Sequence, residues 1–197
     1  ADGAFIDAVS DLVDIISAFD IYVDERCKKV INGEYINGFI EDDMVKSIFR
    51  YDVITAFDIF EHFYEPMVAI RNCTTLLEKD GVIFGETGNA SAVAKPHAWW
   101  YVHLIEHHIF WTESAFQFLA RHAGLSLEMF HLNAHKERRY MSPIKRLAAL
   151  SLHQIRNSKQ LSDLVFSFTS VDPRMIGNPY AKDHVMFILK KVNQDGL

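Results

Sequence analysis

Cysteine is nearly missing from this 197-residue chain: Cys27 and Cys73 stand far apart, outside any C-x-x-C or Cys-His spacing. That excludes a cysteine-built zinc site and leaves two buried thiols in a reducing, cytoplasmic setting as the expectation. Positive charge is also short. Twenty Lys and Arg against 26 Asp and Glu leave a net charge of −6, the wrong sign for a track along nucleic-acid phosphates. The one basic cluster, Lys136, Arg138, Arg139, Lys145 and Arg146, reads as a solvated face. No apolar run approaches the ~20 residues that cross a bilayer, and no basic-apolar leader opens the sequence. Neither a nucleic acid nor a membrane is therefore expected as partner. Repeats and low-complexity linkers are absent too, which favours one domain over residues 1–197.

What is present fits a soluble globular domain: 49% hydrophobic and 23% charged residues, in a chain long enough for one sizeable core. Phe5, Ile6, Val9, Leu12, Val13 and Ile16 recur at helical spacing. Phe19 to Val23 is a short β-rich run closed by Asp24-Glu25, and Arg26 to Ile31 suits a short helix. Tyr35 to Ile40 and Tyr51 to Phe57 read as strands, and Pro66 opens a helix carrying Met67, Ile70, Leu76 and Leu77 inward. Asp80-Gly81 marks a turn before a strand at Val82–Gly85. Thr112 is a good N-cap for a helix through His122, with Gly124 at the C′ position. Leu125 to Leu132 and Asp183 to Lys190 read as closing strands, and residues 136–178 as a helical insertion before the last one. Strands alternating with helices imply parallel βαβ units, and short continuous apolar runs fit strands covered on both faces. The expected fold is α/β: a doubly wound, mostly parallel sheet.

Two stretches carry the chemistry. Tyr51-Asp52-Val53-Ile54-Thr55-Ala56-Phe57-Asp58-Ile59-Phe60-Glu61-His62 is a strand running into an acidic loop, with the Pro66 helix behind it. Open α/β sheets bind ligands at such carboxyl ends. Trp99 to Trp111 packs five aromatics and three histidines into thirteen residues. A histidine there can take a proton near neutral pH, and aromatics around it exclude water.

The first stretch, continued through Pro66 and the Asp80-Gly81-Val82 turn, resembles the fourth-strand signature of class I S-adenosylmethionine-dependent methyltransferases; Phe57-Asp58-Ile59-Phe60-Glu61-His62 is similar to their "DVLEH" form. Glu106-His107 followed by Phe110-Trp111-Thr112 matches a second family piece, which lies over the active site. The likeness covers residues 1 to about 130 and the strand after Asp183-His184. Asp2-Gly3 resembles the tail of the family's glycine loop, without the strand that precedes it there. Asp24 lies about 20 residues on, where such sheets place a carboxylate on ribose hydroxyls. Phe39 stands where the family carries an acid for the adenine, so Glu41, Asp42 or backbone around Ile40 takes that place. Phe57 lines the adenine or methionine side. The implied function is methyl transfer from S-adenosylmethionine to a small-molecule acceptor or glycan precursor. His107 is the implied base, Glu106 orients its ring or a substrate group, and no metal is required. Glu61 and His62 are read as loop-ordering residues. The 136–178 insertion is expected to cover the acceptor site or to form a homodimer contact.

Three other readings stand beside this one. The degenerate glycine loop and Phe39 suit a Rossmann-like binding or scaffold protein without methyl transfer. His103-Leu104-Ile105-Glu106-His107 reads as H-x-x-E-H, an inverted zinc-peptidase motif if His103 and His107 share one helix face, with Glu128 or Glu137 as third ligand. An NAD enzyme is disfavoured, because the first loop lacks the G-x-x-G continuation into its helix.

Overall fold

A computed structural model describes residues 4–22, 25–42, 45, 47–131 and 184–192. Asp2, Gly3, Asp24, the basic cluster and the 136–178 stretch lie outside them. The chain separates into two compact units, Ala1–Phe39 with Asn133–Pro179 and Ile40–Leu132 with Tyr180–Leu197.

In the first unit, helix α1 (Ala4–Val9) runs into a 3₁₀ turn at Ser10–Leu12 and stops there, short of Ile16. The Asn32 side chain explains the early end: it accepts the Ile16 N–H at 2.7 Å and donates to the Asp14 carbonyl at 2.9 Å. Backbone captured by a side chain is not free for the helical ladder. Strand β1 (Ala18–Asp20), helix α2 (Glu25–Val30) and strand β2 (Tyr35–Asn37) then form a βαβ unit with β1 and β2 parallel. Strand β1 ends at Asp20 rather than Val23, because the Asp20 carboxylate accepts the Tyr22 N–H at 3.0 Å and turns the chain.

The second unit holds a four-stranded sheet: β3 (Tyr51–Phe57), β4 (Leu77–Gly88), β6 (His184–Lys191) and β5 (Leu125–His131), in that spatial order. Strands β3 and β4 are parallel, joined across helix α3 (Pro66–Leu76), while β6 runs antiparallel to both its neighbours. Strand β4 is longer than the sequence suggests. Tyr51 faces Leu77 but Val53 faces Val82, so Asp80-Gly81 sits in a bulge of a continuing strand rather than in a turn before it. Helix α4 (Glu113–His122) forms as expected, with Thr112 Oγ1 accepting the Ala115 N–H and Gly124 at φ +70° behind it.

The core of this unit is aromatic. Phe60, Phe116 and Phe187 are fully buried and meet at ring-centre distances of 4.6–5.4 Å, with Ile70 of α3 and Ile83 of β4 in the same cluster. Cys73 is buried in it as well, and burial pushes its thiol up to about 12. Among the described residues, no helix is long and apolar enough to cross a membrane.

Candidate active site

The site begins where β3 ends. Asp58 takes φ +49°, and its N–H donates to the Glu86 carbonyl at 3.0 Å. That kink at a non-glycine residue turns the chain off the sheet into a 3₁₀ turn, Phe60–His62, with Phe60 and Glu61 completely buried.

The segment from Trp99 to Trp111 folds back over this turn and is tied to it through backbone. Trp111 Nε1 donates to the Phe60 carbonyl at 3.0 Å, and the His108 and Ile109 amides donate to the Glu61 carbonyl at 2.8 and 3.1 Å. His62 Nδ1 meets the Glu106 carbonyl at 2.9 Å, and His107 Nδ1 meets the Tyr101 carbonyl at 3.0 Å. A carbonyl can only accept, so each imidazole donates from Nδ1 and, when neutral, keeps its lone pair on Nε2. The two rings lie 4.9 Å apart.

Glu61 is divided between two tasks. Its Oε2 accepts from Thr87 Oγ1 at 2.9 Å, which fixes the loop to the end of β4. Its Oε1 is buried, receives no hydrogen bond, and lies 4.0 Å from His107 Nε2. The side chains of His107 and Glu61 are 5% and 0% exposed. Tyr101 closes the floor: its ring centre is 4.0 Å from that of His107, and its hydroxyl accepts the Gly88 N–H at 3.0 Å. Burial, and then the charge of Glu61, hold the Tyr101 phenol far above its ordinary value, so it stays protonated. Gly88 must be glycine here, since a Cβ would come within 2.5 Å of the Tyr101 ring. A third histidine, His184 at the start of β6, lies 3.5 Å from Asp58 Oδ1 and packs edge-on against Tyr101.

The sequence-derived assignments fare unevenly. His107 stands inside the cluster, but Glu106 does not orient it: the Glu106 side chain is exposed, and only its carbonyl enters the site, toward His62. The carboxylate facing His107 is Glu61. Phe57 lies half-buried at the end of β3, edge-on to Phe84 at 5.5 Å. The Ile40 carbonyl accepts from Asn72 Nδ2 at 2.7 Å, and the Glu41 carboxylate accepts the Glu65 N–H at the start of α3. His103 ends a 3₁₀ turn, Trp100–His103, and Leu104 is extended. His103 and His107 therefore share no helix face, and the inverted zinc motif loses its geometric premise. Tyr101 and His184 carry no individual role in the sequence reading, which has Tyr101 as one of five aromatics and His184 as the start of the closing strand. An aromatic among five, and a histidine opening a strand, carry no local signal of which way they face.

Residues 1–129 match the family model described as a methyltransferase domain. Over 55 residues the chain is 36% identical to the ubiquinone biosynthesis O-methyltransferase of Vibrio campbellii, covering 28% of this chain and 23% of that protein. Over 59 residues it is 32% identical to the enzyme of the same name from Salmonella paratyphi A, covering 30% and 24%. The chain thus spans about a quarter of the length of these curated relatives. Among solved structures, it is similar to the plantazolicin methyltransferase BamL, crystallised with a triazolic desmethylPZN analogue and SAH. There the TM-score is 0.59 at 15% identity, over 96% of this chain and 73% of that one. It is also similar to the YcgJ protein of Bacillus subtilis, with TM-score 0.56 and 14% identity over 96% and 88%. At those identities the likeness fixes the fold: α/β and Rossmann-like.

Proposed function

Because the chain belongs to the methyltransferase domain family, we propose that it moves the methyl group of S-adenosylmethionine to a small-molecule acceptor or glycan precursor, with His107 taking the acceptor's proton. The observation that carries the base assignment is the pairing of His107 Nε2 with Glu61 Oε1 at 4.0 Å in a buried setting. A neutral ring held through Nδ1 offers Nε2 to a proton, and the adjoining carboxylate stabilises the imidazolium that results.

The donor's fit is supported at the end of β3. Asp58 Oδ1 is buried there with no hydrogen bond and with His184 Nε2 beside it at 3.5 Å, and a buried carboxylate oxygen suits a cationic ligand. S-adenosylmethionine, when bound, supplies an electrophilic methyl carbon on a sulfonium. Asp2, Gly3, Asp24, backbone at Ile40, and Phe57 are the residues that would hold it, by resemblance. Glu41 is the weakest of that set, since its carboxylate is spent on the Glu65 amide. The chain's own work is to position the acceptor for in-line attack, exclude water with Tyr101, Trp99 and Trp111, and receive the proton. The Glu41 contact also favours, as the second reading, a scaffold that does not take up the methyl donor.

Release of S-adenosylhomocysteine, followed by mass spectrometry across hydroxyl, amine and carbon acceptors, tests the proposal. Substituting His107→Gln is expected to lower kcat by about 10²–10⁴ with donor affinity unchanged. Full activity in that variant would remove the base assignment. No heat and no thermal shift with S-adenosylhomocysteine would select the scaffold.

A further inference from the structure

One residue grips His107 and its carboxylate partner together. The Tyr101 carbonyl accepts the His107 Nδ1–H at 3.0 Å, and the Tyr101 ring packs on the imidazole at 4.0 Å between centres. The Tyr101 hydroxyl is hydrogen-bonded to the Glu61 carboxylate. Its oxygen already accepts the Gly88 N–H, so its one proton is free for Glu61, which can only accept. Burial, and then the Glu61 charge, keep the phenol protonated and hence a donor. Thr87 Oγ1 gives Glu61 Oε2 a hydrogen bond at 2.9 Å.

Two hydroxyls thus hold the carboxylate, while its Oε1 stands 4.0 Å from His107 Nε2. That is nearly an ångström beyond the ~3.2 Å limit of an N–H···O hydrogen bond. An imidazole and a carboxylate enclosed without such restraint close into a charge-assisted pair with the proton on the ring. A ring in that state takes no second proton. We infer that the Tyr101 and Thr87 hydroxyls are positioning groups that hold Glu61 off His107 and so keep its Nε2 lone pair open. Glu61 is then near enough to stabilise the imidazolium when it forms, and too far to form it beforehand. The other titratable side chains around the ring do not take this place. His62, 4.9 Å away, gives its Nδ1–H to the Glu106 carbonyl, His184 packs on Tyr101, and the Glu106 and His108 side chains are exposed.

This deepens the proposed methyl transfer and rests on its assignment of His107 as the base. The test is the nitrogen NMR spectrum of the histidine rings in the full chain, which reports which ring nitrogen carries a proton. It is recorded at one pH near neutrality with neither donor nor acceptor, and the His107 signals are those lost in His107→Gln. The wild-type ring is expected to carry its proton on Nδ1 with Nε2 bare. In Tyr101→Phe and in Thr87→Val the Nε2 signal should move toward its protonated position, and Thr87→Ser, which keeps the hydroxyl, should return it. Once Glu61→Gln is in place, adding Tyr101→Phe should move nothing, because the hydroxyl acts through the carboxylate. A protonated Nε2 in the wild-type chain overturns the inference. So does an unmoved signal in Tyr101→Phe and Thr87→Val, or a movement that persists without Glu61. If Tyr101→Phe fails to fold, the Thr87→Val and Thr87→Ser pair decides. Methylation is judged separately by the acceptor panel, so its absence would remove the base assignment without moving these signals.

Discussion

Tyr101 shows how much of the site rests on single side chains. Its hydroxyl is the acceptor for the Gly88 amide, its ring lies under His107, and its carbonyl fixes the His107 tautomer. Only the first of these depends on the oxygen of the side chain. Tyr101→Phe leaves a buried N–H unsatisfied and should cost about 1–3 kcal/mol of stability, read as a lower urea midpoint at unchanged m-value. An unshifted midpoint would show that the Gly88 amide finds another partner. At this scale the sequence was half legible. His107 is conspicuous as a histidine beside a run of aromatics, and it lies inside the buried cluster. Its carboxylate partner was misassigned to Glu106, the neighbour in sequence, whereas an irregular segment turns adjacent side chains in unrelated directions. Glu61 comes instead from a loop 46 residues earlier, brought close by backbone hydrogen bonds that no pattern announces.

The elements that the sequence announces best are those whose ends carry their own chemistry. Helix α4 is bracketed by Thr112 and Gly124, and α3 starts at Pro66, so both boundaries follow from local signals. Thr112→Ala removes the hydroxyl that accepts the Ala115 amide and should cost about 1 kcal/mol, measured by chemical denaturation. Thr112→Ser should restore most of it, and equal stability of all three would mean the cap is idle. Strand β3 was legible from its β-rich run and its acidic end. The shorter β1 and α1 were not, because Asp20 and Asn32 end them through side-chain contacts to backbone up to 18 residues away. The Asp80-Gly81 pair misled in the opposite direction. A turn-forming dipeptide also makes a bulge, and only the register against β3 tells the two apart.

For the whole molecule, the alternation of strands and helices correctly implied an α/β fold with parallel pairing in both units. It did not reveal that β6 inserts antiparallel between β4 and β5. A strand covered on both faces has no alternation to read, and its apolar run is the same in either direction. That placement matters, since it sets His184 opposite Gly88 and beside Asp58, at the end of the sheet where Glu61 and Tyr101 also lie. The account's central claim is that this chain binds S-adenosylmethionine. Isothermal titration of S-adenosylhomocysteine into the chain addresses it most directly. Saturable heat fitting one site per chain is the predicted result, and a flat titration with no shift in Tm at saturating ligand would contradict it.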